Sequence, residues 1–381
     1  HEQTSRKYQN NMPTLIFKET EACNSNCIYC DVIARKKPKT ISMDHLKKVF
    51  VYINEYLEKF PNEYFSIVWH GGEPLIVGVD FYRKVLEFQE TYCSSTKSRI
   101  EHDIQSNLTL ITQEMIDVLK QMGITRVGTS YEPYKGIRGF GPMRDSDAYN
   151  KKFFRGIELL QKNGMTWGFI YVVTKNVIDK PLEIFNLLSN FKVKGGFQLH
   201  PVYSYKNEDT NHVGITAKEF ADFLGEIFKF WWPHRNRFPY VEPFFSYLNH
   251  YTNGGPVCCS ESGNCAYSHI YIGPEGEYSH CGRSSDWDVF EVGNVDNMSI
   301  VEAFEQPYRK ELQMRSSYLL ENDCKGCSYF KLCHGGCPLD GWNSTDSVMS
   351  KTEWCLSRRY FLKHYFEPIT GLSFDDSKYQ F

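Results

Sequence analysis

Long hydrophobic runs are missing from these 381 residues. No stretch approaches the roughly 18 consecutive apolar residues that a membrane-spanning helix needs, so no such span is expected. Residues 1–12 are polar and lack the apolar core of a secretory signal; with no initiator Met, the start reads as trimmed or tag-derived. An excess of charge of one sign is missing too. Lys and Arg number 43 against 46 Asp and Glu, a net charge of −3, which argues against a protein that wraps nucleic acid. The one basic run, Arg35-Lys36-Lys37-Pro38-Lys39, reads as solvated loop before it reads as a docking patch for an acidic electron donor. There is no internal repeat and no low-complexity tract. At this length one core is rarely enough, and two domains are expected.

Cysteine is what the chain has in plenty. Eleven of its thirteen cysteines fall into two patterns. Cys23, Cys27 and Cys30 form a C-x3-C-x2-C triplet. Far downstream stand Cys259, Cys265 and Cys281, then Cys324, Cys327, Cys333 and Cys337, and finally Cys355. Three thiolates leave one iron of a [4Fe–4S] cube open to another ligand, whereas eight suffice for two fully ligated cubes. Disulfides are disfavoured because nothing indicates export. Zinc is a lesser alternative for Cys324 to Cys337 alone. Cys93, in a helical stretch, reads as a buried structural thiol. Cys258 is ambiguous, since it adjoins Cys259 and could replace it as a ligand.

Strands and helices alternate along the chain. Strands are expected at 14–17, 65–69, 99–105, 124–130, 166–174 and 196–203. Helices are expected at 44–60 (with Leu46, Val49, Phe50, Ile53 and Leu57 on one face), 80–92, 112–122, 149–162, 181–190 and 216–231. Six such alternations imply an α/β fold with a parallel sheet and right-handed crossovers, either an open sheet or a partial barrel. In βα barrels the site is built from loops at the C-terminal ends of the strands. Here those loops carry the cysteine triplet, His70-Gly71-Gly72-Glu73-Pro74, Gln105-Ser106-Asn107 and Ser130-Tyr131-Glu132-Pro133. Paired glycines let backbone approach a ligand, and Glu73 could accept from an ammonium group. Between Cys265 and Cys281, apolar runs flanking Gly-Pro-Glu-Gly read as a β-hairpin.

Cys23, Cys27, Tyr29 and Cys30, with Gly71-Gly72-Glu73-Pro74, resemble the radical S-adenosylmethionine (SAM) enzymes. Cys265, Gly276 with Cys281, Cys324 through Cys337, and Cys355 resemble their SPASM twin-cluster extension. The resemblance implies a partial (β/α)6 TIM barrel at 13–235, a linker or bridging region at 236–257, a small cysteine-rich SPASM domain with a hairpin at 258–360, and a C-terminal tail at 361–381. It implies SAM and three [4Fe–4S] clusters as cofactors. Cys23, Cys27 and Cys30 would hold the catalytic cluster; Gly71, Gly72, Glu73 and Pro74 would meet the SAM methionine. Asn107 and Ser130 would supply polar contacts, and Tyr29 would lie beside the adenine. Leu108 stands where the family has a glycine after Asn107. Auxiliary cluster I would take Cys259, Cys265, Cys281 and Cys337, and cluster II Cys324, Cys327, Cys333 and Cys355.

The resemblance further implies an oxidoreductase that modifies peptides or proteins. A peptide cross-link, thioether or carbon–carbon, is the favoured reaction. Oxidation of Cys or Ser to formylglycine, as in the similarly spaced anaerobic sulfatase-maturating enzymes, is the alternative. Those enzymes place an acid directly after the third auxiliary cysteine, whereas Cys281 here precedes Gly282-Arg283. A non-catalytic iron–sulfur electron carrier is a further alternative, but it would have no use for the Gly-Gly-Glu-Pro loop. His200, near the end of the sixth strand, and Glu132 are the candidate catalytic bases, while His70 reads as structural. The aromatic segments Phe228-Lys-Phe-Trp-Trp232 and Tyr240 to Tyr247 read as packing before they read as a peptide cleft. Expected partners are a precursor peptide and a reductant such as flavodoxin or ferredoxin; with about a dozen residues before the first strand, the leader is expected to be held by a separate leader-binding protein, by the barrel or SPASM surface, or not at all. No nucleic-acid or membrane partner is expected, and the need for a reductant points to the cytoplasm.

Overall fold

The computed structural model of the protein describes residues 12–30, 37–191, 196–209, 211–290 and 292–374. The polar start (1–11), Arg35 and Lys36 of the basic run, and the tail from 375 onward lie outside the described residues.

The expected alternation is present. It runs β1 (Thr14–Phe17), α1 (Met43–Lys59), β2 (Phe65–Trp69), α2 (Val79–Tyr92), β3 (Ile100–Ile104), α3 (Gln113–Gln121), β4 (Arg126–Ser130), α4 (Ser146–Lys162), β5 (Thr166–Val173), α5 (Pro181–Ser189), β6 (Phe197–Pro201) and α6 (Ala217–His234). After it come β7 (Val241–Glu242), α7 (Phe244–Asn253), β8 (His269–Ile272), β9 (Glu277–Ser279), α8 (Gly282–Asp286), β10 (Gly293–Asn294), α9 (Ile300–Phe304), α10 (Pro307–Glu321), α11 (Phe330–Cys333), α12 (Pro338–Thr345) and α13 (Cys355–Phe361). Caps explain several starts. Thr112 accepts from the Met115 N–H, and Thr216 and Glu219 form a reciprocal capping box. Helix α4 begins three residues before the expected Tyr149, because Asp145 accepts from the Ala148 N–H and draws Ser146 into the first turn.

The chain divides into two compact units, residues 1–168 with 266–309, and residues 169–265 with 310–381. In the first, β1 pairs in parallel with β2, and β2 with β3. A parallel bridge from Gln105 to Gly128 carries the order on to β4. Leu15, Phe17, Ile67 and Trp69, which share one face of β1 and β2, are fully buried, whereas Thr14 and Ile16 on the other face of β1 are half-buried. The apolar stripe read on α1 is its buried face, and the Cys93 thiol donates to the Phe50 carbonyl at 3.3 Å as a structural group. The expected hairpin forms as β8 and β9, but it is no separate appendage: β8 pairs in parallel with β1, from Thr14–His269 to Phe17–Ile272, and widens the same sheet.

In the second unit β5, β6 and β7 are parallel neighbours. The expected linker at 236–257 therefore holds a further strand and helix, and α7 buries Phe244, Tyr247 and Tyr251. Nor do residues 361–370 form a tail. Leu362 and Phe366 are fully buried, Phe366 lies 5.5 Å from Phe228, and Phe361 stacks on Phe244 at 5.5 Å. Both aromatic segments thus contribute to the core of this unit, which is why residues beyond 360 stay ordered helix. Among the described residues no helix is long and apolar enough to cross a membrane.

Candidate functional site

The first unit gathers the loops after β1, β2, β3 and β4. Within the cysteine loop, the Ser25 hydroxyl lies 3.4 Å from the Cys23 sulfur and 3.6 Å from that of Cys27. The loop's backbone is pinned by Asn26 N–H to Gly139 O at 2.8 Å and Ile28 N–H to Ile137 O at 2.9 Å.

The Gly-Gly-Glu-Pro loop lies directly against the residues that precede Cys23. Gly72 N–H donates to Thr20 O at 2.7 Å, and Glu73 N–H to Ala22 O at 2.9 Å. Gly71 has φ +51°, and a Cβ on Gly72 would sit 2.6 Å from the Glu21 and Ala22 carbonyl oxygens. One glycine serves the turn and the other a close approach of two backbones.

The Glu73 carboxylate does not stand open to an ammonium group. It is 1% exposed and accepts from Leu75 N–H (3.0 Å), the Ser106 hydroxyl (2.8 Å) and Asn107 N–H (2.7 Å). Burial nonetheless raises its pKa, against those three donors. Glu73 therefore ties the loop after β2 to the loop after β3. Asn107 is similarly committed: its amide donates to Asn24 at 3.0 Å, and its carbonyl oxygen accepts from both the N–H and the hydroxyl of Thr109. Through these bonds both side chains also fasten the cysteine loop. Leu108, standing where the family has glycine, has φ +62° and is fully buried, so the left-handed turn is kept at some strain. Ser130 accepts from Gln105 at 3.4 Å and remains half-buried.

Glu132 was a candidate base, and its surroundings argue otherwise. It is 2% exposed, ion-paired with Arg138, and accepts from the Tyr29 hydroxyl at 2.9 Å. Arg138 also donates to Tyr29 at 2.5 Å and to Tyr149 at 3.0 Å. Burial opposes the charge on Arg138, but Cys27, Glu132 and the two phenols hold it protonated. A carboxylate fixed between a guanidinium and a phenol positions Tyr29, the residue between Cys27 and Cys30; it is poorly placed to take a proton. Arg138 escaped the sequence reading because its loop carries no motif.

Two further groups were missed. Glu19 is fully buried, accepts from Tyr82 at 3.2 Å, leaves its Oε2 without a partner, and is pushed up by burial to about 8. Lys18, 3% exposed, is ion-paired with Asp286 at the end of α8. Burial, with Lys18 nearby, lowers the pKa of His70. A hydrophobic strand followed by charged residues gave no hint that they would be buried.

In the second unit His200 lines a cavity with Gln198, Tyr203, Cys258, Glu261 and Arg358. Gln198 donates to the Cys258 sulfur at 3.3 Å, so Cys258 faces this cavity while the Cys259 residue is exposed. Cys324, Cys327, Cys333 and Cys355 line one recess of about 320 Å³. All thirteen cysteines are free of disulfides. Burial pushes the thiols of Cys324 and Cys333 up to about 11, with neighbouring thiols among the further causes for each. Four soft donors lining one recess, two of them costly to ionise by themselves, fit a group that brings its own positive charge, such as an iron–sulfur cube.

Comparison with known proteins agrees with this chemistry. Residues 19–188 match the family model of the radical SAM superfamily, and residues 259–328 match SPASM, an iron–sulfur cluster-binding domain. A cysteine-type anaerobic sulfatase-maturating enzyme of Clostridium perfringens is 25% identical over 375 residues, 94% of this chain and 97% of the relative. An uncharacterized protein of Methanothermobacter thermautotrophicus is 32% identical over 205 residues, 53% of this chain and 72% of the relative. Among solved structures, anSMEcpe with bound AdoMet and Cp18Cys peptide superposes with a TM-score of 0.78 at 23% identity, covering 94% of this chain and 98% of that one. Streptococcus suis SuiB bound to precursor peptide SuiA gives 0.63 at 14% identity, with 93% and 78% covered. At these identities the structures establish shared fold alone. The family matches, the cysteine recess and the glycine loop converge: the chain belongs to the radical SAM superfamily, is a radical SAM enzyme with a SPASM extension, and takes SAM and [4Fe–4S] clusters as its cofactors.

Proposed function

We propose that the chain is a peptide maturase that installs an intramolecular cross-link, thioether or carbon–carbon, in a ribosomally made peptide. The observation that carries this reading over formylglycine formation is at Gly282. A Cβ there would meet only Ile16 Cγ2, at 3.9 Å, so crowding at that position does not demand glycine. The missing acid after Cys281 is therefore not explained by crowding at Cβ. The first acid along α8, Asp286, is engaged by Lys18.

Bound in this protein, SAM and its cluster supply a carbon-centred radical that removes hydrogen from an unactivated C–H bond. The residues do the rest. Cys23, Cys27 and Cys30 hold the catalytic cluster, and Ser25 braces two of those sulfurs. With the Glu73 carboxylate occupied, the ammonium contact falls to the main chain of Gly71 and Gly72, backed by Pro74. Tyr29 lies beside the adenine, held by Glu132 and Arg138, and Ser130 offers its hydroxyl to the ligand. Cys259, Cys265, Cys281 and Cys337 would hold one auxiliary cluster, and Cys324, Cys327, Cys333 and Cys355 the other; the clusters would supply a sink for the electron that a net oxidation releases. His200, on the wall of its cavity, is the remaining candidate to take the proton.

A second reading has one observation in its favour: the curated relatives that span nearly the whole chain are sulfatase-maturating enzymes. Anaerobic incubation with dithionite, SAM and peptides separates the two. Cross-linking predicts a product that loses two hydrogens, resists aldehyde-reactive hydrazides and gives no fragments within a ring; formylglycine would react. If no 5′-deoxyadenosine forms with or without peptide, both readings fall. A precursor peptide and a flavodoxin- or ferredoxin-type reductant are the partners this reaction calls for.

A further inference from the structure

Helix α10 carries two buried arginines that donate to main-chain carbonyls: Arg309, to Ala303, Ala266 and His269, and Arg315, which differs in having cysteine sulfurs around it. Arg315 is 3% exposed, and its guanidinium donates only to main-chain carbonyls: Val348 at 2.5 Å, Gly336 at 2.6 Å, Ser350 at 2.6 Å and Gly335 at 3.2 Å. Among the described residues no carboxylate pairs with it, whereas the buried Arg138 and Arg358 are paired with Glu132 and Glu261. Carbonyl dipoles satisfy its donors but leave a whole charge uncompensated in the interior, an arrangement that is unfavourable unless an anion lies close by.

The anion is written into the neighbourhood. Gly335 and Gly336 form the turn between Cys333 and Cys337, one cysteine from each proposed auxiliary set, and Gly336 N–H donates to Cys333 O at 2.8 Å. Burial lowers the pKa of Arg315, and the thiols of Cys337, Cys265, Cys333 and Cys324 oppose that shift, so sulfurs of both sets lie within its electrostatic reach. A four-thiolate cube is anionic and gains a further negative charge on reduction. A fixed cation beside it favours the reduced form.

We infer that Arg315 is a counter-charge shared by the two auxiliary clusters, binding them to one turn and holding both at a higher reduction potential than their thiolates alone would set. The inference rests on the cysteine assignment under Proposed function. It makes Arg315 a positioning residue for electron acceptance: it touches no substrate, yet sets how readily either cluster takes the electron from an oxidised peptide.

The test is an EPR-monitored redox titration of the reconstituted holoenzyme, with iron and sulfide counted, for the wild type, Arg315→Gln and Arg315→Lys. About twelve irons in the wild type are expected from three cubes. A lower count there sinks the cluster assignment itself and is distinct from any result on the variants. Given full wild-type loading, Arg315→Gln is expected to lower the reduced-to-oxidised ratio of both auxiliary clusters at least tenfold at fixed potential, 59 mV for a one-electron couple. Arg315→Lys, which keeps the charge with fewer donors, is expected to stay near the wild type. If Arg315→Gln loses iron, the midpoints are read on the auxiliary clusters it retains: lowered midpoints there, with iron and midpoints unchanged in Arg315→Lys, uphold the inference, and unchanged midpoints overturn it. Full iron with unchanged midpoints in Arg315→Gln overturns it. So does equal iron loss in both variants, because that would make the main-chain hydrogen bonds the whole role.

Discussion

Replacing Gly72 by alanine tests whether the glycine loop acts by shape. The added methyl would lie 2.6 Å from two backbone oxygens, those of Glu21 and Ala22, where ordinary contact begins near 3.4 Å. Neither obstacle is a side-chain tip that can swing aside, so the two backbones must part by about 0.8 Å to relieve overpacking. That separation stretches the bonds from Gly72 to Thr20 and from Glu73 to Ala22, now 2.7 and 2.9 Å. Overpacking costs roughly 1–3 kcal/mol and each of the two weakened hydrogen bonds up to about 1, giving about 1–5 kcal/mol in all. Cys23 follows Ala22 directly, so the displacement also reaches the first thiol of the triplet. Gly254→Ala is the control, for it is left-handed at φ +65°, ψ +22° with nothing within 4 Å of an added Cβ and should lose only the left-handed penalty, about 1–2 kcal/mol. Urea unfolding of the two apo variants, iron per chain after reconstitution, and 5′-deoxyadenosine formation are the measurements. Gly72→Ala should be the less stable and should cleave SAM at least tenfold more slowly. Equal stability of the two variants, with wild-type SAM cleavage in Gly72→Ala, would refute the steric reasoning.

Three other outcomes are expected. Glu132→Gln should destabilise the fold by about 3–5 kcal/mol, because it leaves the Arg138 charge buried without its partner; unchanged stability with a selective loss of peptide product would restore Glu132 as a base. For Glu19 the folded pKa of about 8 exceeds the usual 4.5, so the folded state binds the extra proton between those values. Its contribution is complete below pH 4.5, falls by about 1.4 kcal/mol per pH unit, and is lost by about pH 8; Glu19→Gln should flatten that slope in urea titrations at several pH values, and an unaltered slope would exclude Glu19 as its source. Cys259→Ser should lose about four irons while Cys258→Ser keeps the full complement, since Cys258 faces Gln198 across the cavity; iron analysis giving the reverse order would exchange the two assignments.

Much of this protein was legible without coordinates, because its chemistry is local in sequence. The spacing of Cys23, Cys27 and Cys30, the glycines at 71 and 72, and the strand–helix periodicity are short-range patterns, and they indicated family, cofactors and barrel class. What tertiary structure decided was long-range. Nothing in the composition of Lys18, Glu19, Glu132 or Arg138 says that they are buried, nor which charge neutralises which. The pairing of β8 with β1 joins residues some 250 positions apart, as in Thr14 with His269, and no window of sequence contains both. Residues 236–257 and 361–370 read as connectors because they fall outside the two regions that the family resemblance assigns; the aromatic run at 240–247 already suggested packing, and the contacts of Phe228, Phe244, Phe361 and Phe366 show which partners it packs against. Ligand types are fixed by residue identity, whereas the commitment of Glu73 and Asn107 to protein donors, and the unpaired charge of Arg315, are properties of distance, and distance belongs to the fold.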